Sequence, residues 1–196
     1  MTLPRRSVLA GCVAALAGCG LLPDDPEPIE AEATSPAVLP ASTEYGSVVA
    51  DTRPVETTIT VDLSGDVELT TRRDVTATVF RRVYEDDVGR RLGLVTAPAV
   101  TVVESPETVR DPIASLADDR VLTLATARTV ESVDEFESAG RATLLSTETT
   151  RAVATAGGTD RRVVRLRVRA GEDAVTAVGE APDAADHPFG DVSREG

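Results

Sequence analysis

Two cysteines stand seven residues apart, and each closes the same four letters: Leu9-Ala10-Gly11-Cys12 and Leu16-Ala17-Gly18-Cys19. Small residues before a cysteine, behind a short basic start and an apolar run, form the layout of a lipoprotein processing site. An apolar signal core needs roughly 7–15 residues. Cys12 leaves only Ser7 to Gly11 behind Arg6, whereas Cys19 leaves Ser7 to Gly18, so Cys19 is the expected lipidation site. Arg5 and Arg6 sit directly before the apolar run, where twin-arginine export requires them. The run falls short of the ~20 apolar residues that span a bilayer. Removal of residues 1–18 leaves a chain with one cysteine, which excludes an internal disulfide or a cysteine metal site.

His187, the single histidine, lies in Asp186-His187-Pro188-Phe189-Gly190-Asp191 near the end of the chain. A hydrolytic triad would need a serine and a carboxylate placed around it. No Gly-x-Ser-x-Gly turn is present, so it reads as a loop histidine in a flexible tail. No catalytic residue, cofactor-binding residue or metal ligand is assigned, and no cofactor is expected. The absence of lysine excludes Schiff-base chemistry. No phosphate-binding or dinucleotide glycine pattern appears.

The acidic clusters Glu85-Asp86-Asp87, Asp118-Asp119 and Asp134 to Glu137 lack the spacing of a calcium loop. Calcium or small-ligand binding is the alternative reading, with a carboxylate-based hydrolase behind it. Val164-Arg165-Leu166-Arg167-Val168-Arg169 alternates with period two. This places Arg165, Arg167 and Arg169 on one face of a strand as a candidate interaction face. Cross-strand pairing with acids such as Glu148, Glu172 or Asp173 would instead neutralise them.

Composition sets the surroundings. The 196 residues carry a formal charge of −13, and all 20 basic residues are arginine. Without residues 1–18, 18 arginines face 33 acids, a charge of −15. Acidic groups keep a chain hydrated but repel one another when folded. Molar salt relieves that repulsion by cutting the Debye length to ~3 Å. Such a chain suits very salty water, and the same charge argues against nucleic acid as a partner.

Residues 20–36 hold four prolines, five acids and no base, so residues 19–36 read as a lipidated, extended tether. Ser35 to Gly46 reads as a short helix. Val/Thr-rich strands follow at 55–63 and 67–84, around a turn at 64–66. A third strand covers 92–104, with Pro98 marking an edge or bulge. Residues 105–119 read as loop with a helical turn. Asp118 to Arg128 reads as a short helix, with acids at its start and arginine at its end. Strands at 141–155, 160–169 and 173–178 complete one domain at 37–181, joined by turns at 156–159 and 170–172. Residues 182–196 read as an acidic flexible tail. The expected fold is α+β, a curved, mostly antiparallel sheet with one or two short helices packed on one face.

The leader, the acidic tether, Ser35 to Gly46 (SPAVLPASTEYG), the Thr/Val hairpin and Leu92 to Glu104 (LGLVTAPAVTVVE) together resemble haloarchaeal secreted lipoproteins of the family known as domain of unknown function 6517. The likeness covers about residues 36–181 and rests on element order. It implies a sheet similar to the PsbP-like fold and brings no catalytic residues. Family members carry a longer helix where this chain has residues 112–128. The sequence therefore predicts a monomer on the extracytoplasmic face of the membrane, held by lipid on Cys19. Its expected role is binding or scaffolding with an unidentified protein partner, not catalysis.

Overall fold

The computed structural model describes residues 27–63, 69–103, 108–157, 161–182 and 186–195. Cys12, Cys19, Arg5 and Arg6, the leader and the turns at 64–66 and 158–159 lie outside them. The fold is mostly β-sheet with one α-helix among the described residues, in an open mixed sheet. Its backbone is a hairpin of two long strands, β3 (Gly46–Leu63) and β4 (Leu69–Glu85), paired along their length with one register shift between Ser47 and Val49. β5 (Arg91–Pro98) follows antiparallel to β4 and takes a central place beside β11 (Asp173–Ala181). From β11 the sheet continues through β10 (Arg161–Ala170) and β9 (Thr147–Ala156) to β8 (Glu137–Leu144). Valine and threonine dominate these strands because branched side chains pack well on a pleated surface.

The first described strand corrects the reading of 19–36 as tether throughout. β1 (Ile29–Glu32) pairs in parallel with Val75 to Thr78 of β4. β3 occupies one side of β4 along its full length, and β5 occupies the other side only from Phe80 to Glu85. β1 fills the remaining stretch, where backbone groups would otherwise form an open edge.

The expected helix at 35–46 is also corrected. β2 (Ala37–Val38) and a turn stand there instead. Pro36 and Pro40 hold the preceding residues extended. The amides of Ala37 and Leu39 donate to the Thr96 and Tyr84 hydroxyls, at 2.9 and 3.1 Å, and not to a helical carbonyl.

Pro98 marks no edge. It is the last residue of a central strand, after which the chain leaves the sheet for the short pair β6 (Val100–Thr101) and β7 (Val109–Arg110). The expected strand at 141–155 is two strands, because Leu145 and Ser146 adopt φ of 51° and 59°. Two successive left-handed residues make a tight hairpin turn without the usual glycine or asparagine. A bulge in β8 between Ser138 and Arg141, with Gly140 at φ 96°, bends the sheet's outer edge.

α1 (Asp118–Thr126) meets the sequence expectation closely. Val121, Leu122 and Ala125 bury against Val79, Val95 and Val178 of the sheet. Its C-terminal carbonyls are taken by arginines of the sheet. Arg91 reaches Thr126 O at 2.7 Å and Arg81 reaches Leu124 O at 3.5 Å, where the helix dipole favours positive charge. The opposite sheet face carries a second core of Tyr84, Leu92, Leu94, Leu166, Val175 and Leu144. Ala37, Leu39, Phe189 and Val192, drawn from both ends of the domain, close over it.

Thus residues 186–195 are not a flexible tail. They form a 3-10 turn at Phe189–Asp191 and β12 (Ser193–Arg194), which pairs with β2. Asp173, 1% exposed at the start of β11, joins the two ends. Its carboxylate accepts from Thr34 N at 3.1 Å and Thr34 Oγ1 at 2.6 Å, and it is ion-paired with Arg194.

Gly93 lets α1 approach β5. A Cβ there would lie 2.0 Å from Ala125 O, a backbone atom that cannot swing away. Gly93→Ala is expected to cost about 2 kcal/mol or more, in the overpacking range. Gly46→Ala, whose Cβ would meet its nearest atom at 3.8 Å, is expected to stay within about 0.5 kcal/mol of the parent. Denaturant unfolding of both variants checks the contrast.

Candidate ligand cleft at His187

The site begins at Gly179 on β11. The absence of a side chain leaves room for the His187 ring, and a Cβ at Gly179 would fall 2.2 Å from its Cδ2. His187 is therefore 8% exposed, which corrects the reading of it as a tail histidine. Tyr45, at the end of the 37–45 segment, places its hydroxyl 3.1 Å from His187 Nδ1. The Phe189 ring packs against His187, tilted by 52° with centroids 5.6 Å apart.

Arg90 lies over Tyr45, its Cζ 5.8 Å from the ring centre. Asp86, buried in the β4–β5 loop, holds Arg90 by an ion pair and accepts the amides of Arg90 and Val88 at 2.8 and 3.1 Å. The acidic run Glu85 to Asp87 thus supplies one buried anchor, Asp86. Burial pushes the Asp86 carboxyl up, but the hydrogen bonds from Arg90 and Val88 outweigh it and hold the pKa below the ordinary value.

Tyr45, Arg90 and His187 line a cleft of about 620 Å³ with Ser42, Glu44, Asp186 and Asp191. Tyr45 and the His187 ring are its aromatic members and its rim is acidic, since the side chains of Glu44 and Asp186 are 88% and 95% exposed. Size and lining fit a small polar ligand. Compared with known proteins, the chain matches no family model, no curated protein and no solved structure. The reading of this cleft rests on its own geometry.

That geometry does not favour acid–base catalysis. Burial lowers the His187 pKa to about 4, with Arg90 repelling the charged form and Asp86 and Asp186 favouring it weakly. A base that weak is far from the pKa near 7 that proton transfer favours. Burial raises the Tyr45 pKa, so its phenol stays protonated.

On the other face, Glu180 lies 2.5 Å from Arg161 and 3.5 Å from Arg128, and Glu85 lies 2.5 Å from Arg91. Arg128 also reaches Glu85 at 3.4 Å, so both carboxylates are ion-paired with arginine. No group of three or more potential metal ligands occurs among the described residues.

The arginine face is split. Arg165 is ion-paired with Asp118 of α1, and its guanidinium stacks on Phe136 at 3.8 Å. Arg169 is exposed and reaches the Gly171 carbonyl. Arg167 is half-buried between them. Neither Glu148 nor Asp173 takes part, because Arg141 and Arg194 hold them. Sequence reasoning missed Tyr45 and Arg90, and had Asp86 only as part of an acidic cluster weighed for calcium. Gly179 within an otherwise apolar strand was the available sign, since glycine in a strand marks a close approach.

His187 is neutral in the folded chain and more basic when unfolded, at about 6.5. The unfolded state therefore binds more protons between pH 6.5 and 4, and stability falls as pH falls through that window. The contribution is full above pH 6.5 and is lost by about pH 4, roughly 3 kcal/mol in all. His187→Gln should remove this component of the pH profile. The one histidine signal in NMR should titrate near pH 4.

Proposed function

We propose that this chain is a lipid-anchored, extracytoplasmic binding protein of salt-adapted type, and that the cleft at Tyr45, Arg90 and His187 is where it binds. The cleft is the observation that carries the reading. It joins a large opening to converging hydrogen-bonding groups around a buried histidine whose pKa is lowered to about 4. The acidic rim of Glu44, Asp186 and Asp191 suits a small ligand with a cationic or hydrogen-donating group.

The leader sequence supports the anchor. Residues 20–28 separate Cys19 from Ile29, a span of at most roughly 35 Å if fully extended. Lipid on Cys19 would hold the domain within that distance of the membrane. Twin-arginine export through Arg5 and Arg6 delivers folded proteins, which suits a domain whose two ends must close together. The resemblance to the haloarchaeal lipoprotein family, and through it to the PsbP-like fold, belongs to the same proposal. No helix among the described residues is long and apolar enough to cross a membrane.

Expression in a salt-adapted host tests the anchor. Cys19→Ser should move the protein from the membrane to the medium and remove the lipid mass, while Cys12→Ser should change neither. Native mass spectrometry of the membrane-extracted parent tests the cleft. A bound small molecule is expected, and it should be lost in the double variant Glu44→Gln, Asp186→Asn. A parent without bound mass, and without response to added cationic metabolites, contradicts the cleft reading and leaves the anchor standing.

A further inference from the structure

A second cavity of about 310 Å³ opens on the helix-bearing side of the sheet. Its walls include Ala99, Val109 and Ala174, and the exposed Ala114 stands at its rim. Arg167 lines it from β10. The Nε and Nη2 atoms of that guanidinium are buried, and neither has a hydrogen-bond partner. Asp111 and Asp118 attract the charge, but they do not satisfy these two donors, while Arg165 repels it.

A buried donor without a partner is costly, and a buried charge more so. Asp111 is not free to turn toward it, because its carboxylate accepts from Ile113 N at 2.9 Å as the cap of the 3-10 turn Pro112–Ser115. Burial raises the Asp111 pKa and also lowers that of Arg167, so the surroundings disfavour both charges. Arg110 and Arg169 add positive charge at the same cavity.

We infer that this cavity is an anion site for a small organic carboxylate, which the Arg167 guanidinium meets by turning its buried Nε and Nη2 into the cavity, while the ligand's apolar body lies against Ala99, Val109 and Ala174. Arginine presents a planar fork that matches a carboxylate in two parallel bonds. The volume sits at the lower end of the ~300–1,000 Å³ range for ligand pockets, which limits the body to a few carbons. Salt does not abolish such a site, since buried pairs are screened far less than exposed ones. The site is separate from the cleft at His187 and stands whether or not that cleft binds.

The full chain in detergent, titrated with butyrate in sulfate buffer of fixed ionic strength and read by calorimetry, tests the proposal. Saturable binding is expected for butyrate and none for 1-butanol. Arg167→Gln should weaken butyrate by roughly ten- to hundred-fold, the range for one charge-assisted contact. Ala114→Leu changes only an exposed rim residue, and it should weaken butyrate while leaving the unfolding midpoint unchanged. Chloride binding as tightly as butyrate would overturn the organic carboxylate. So would butyrate binding that survives both substitutions, or no binding to the folded parent.

Discussion

The structure depends on a buried carboxylate that is satisfied from both ends of the chain. Asp173 opens β11 on the sheet face opposite α1, and it is 1% exposed. Left alone, a buried carboxylate would be protonated or would prevent folding. Thr34 and Arg194, which lie 139 residues and 21 residues away in sequence, supply the donors. Burial pushes the Asp173 carboxyl up, and the bonds from Arg194 and Thr34 overcome it and hold the pKa below the ordinary range. Because one side chain ties Thr34 and Arg194 together, the 37–45 segment and the 187–194 segment must lie side by side. β2 and β12 then pair, and Tyr45 and His187 come within hydrogen-bond reach. The cleft is a consequence of that closure.

The strand framework was legible because its signals are local. Val164, Leu166 and Val168 share a face as their period of two requires, and all three belong to the core opposite α1. The acids at Asp118 and Asp119 begin a helix as expected. What was not legible depends on partners far away in sequence. Ile29–Glu32 carries two acids and looks like tether until β4 offers its unpaired edge. Residues 37–45 have helix-compatible letters, yet their amides find the hydroxyls of Tyr84 and Thr96. Leu145 and Ser146 make a left-handed turn with residues that rarely announce one. The C-terminal acids concealed Phe189 and Val192, which bury against the sheet.

The electrostatics follow the same division between surface and interior. Exposed acids such as Glu44 and Asp186 give the chain its negative field, and strong salt would screen them. Several of the less exposed arginines are held by carboxylates. Arg81 is 7% exposed and holds Asp51 at 2.8 and 2.6 Å. Bonding from Arg81 lowers the Asp51 pKa more than burial raises it. Arg161 and Glu180 form a second ion pair at 2.5 Å. With arginine as the only strong base, these interior pairs can use its planar fork, which lysine lacks. The proposed life in salty water therefore rests on an acidic outside and on arginine pairs within.

The central claim is that the Asp173 tie builds the cleft, and Asp173→Asn tests it most directly. Amide hydrogen exchange and the His187 titration would be followed together in the full chain. The account predicts faster exchange at Ala37, Leu39 and Val192, and a His187 pKa rising from about 4 toward 6.5. Exchange in β3, β4 and β5 should stay slow. If the amides near both ends keep their protection and His187 still titrates near 4, the closure does not depend on Asp173 and the account is wrong.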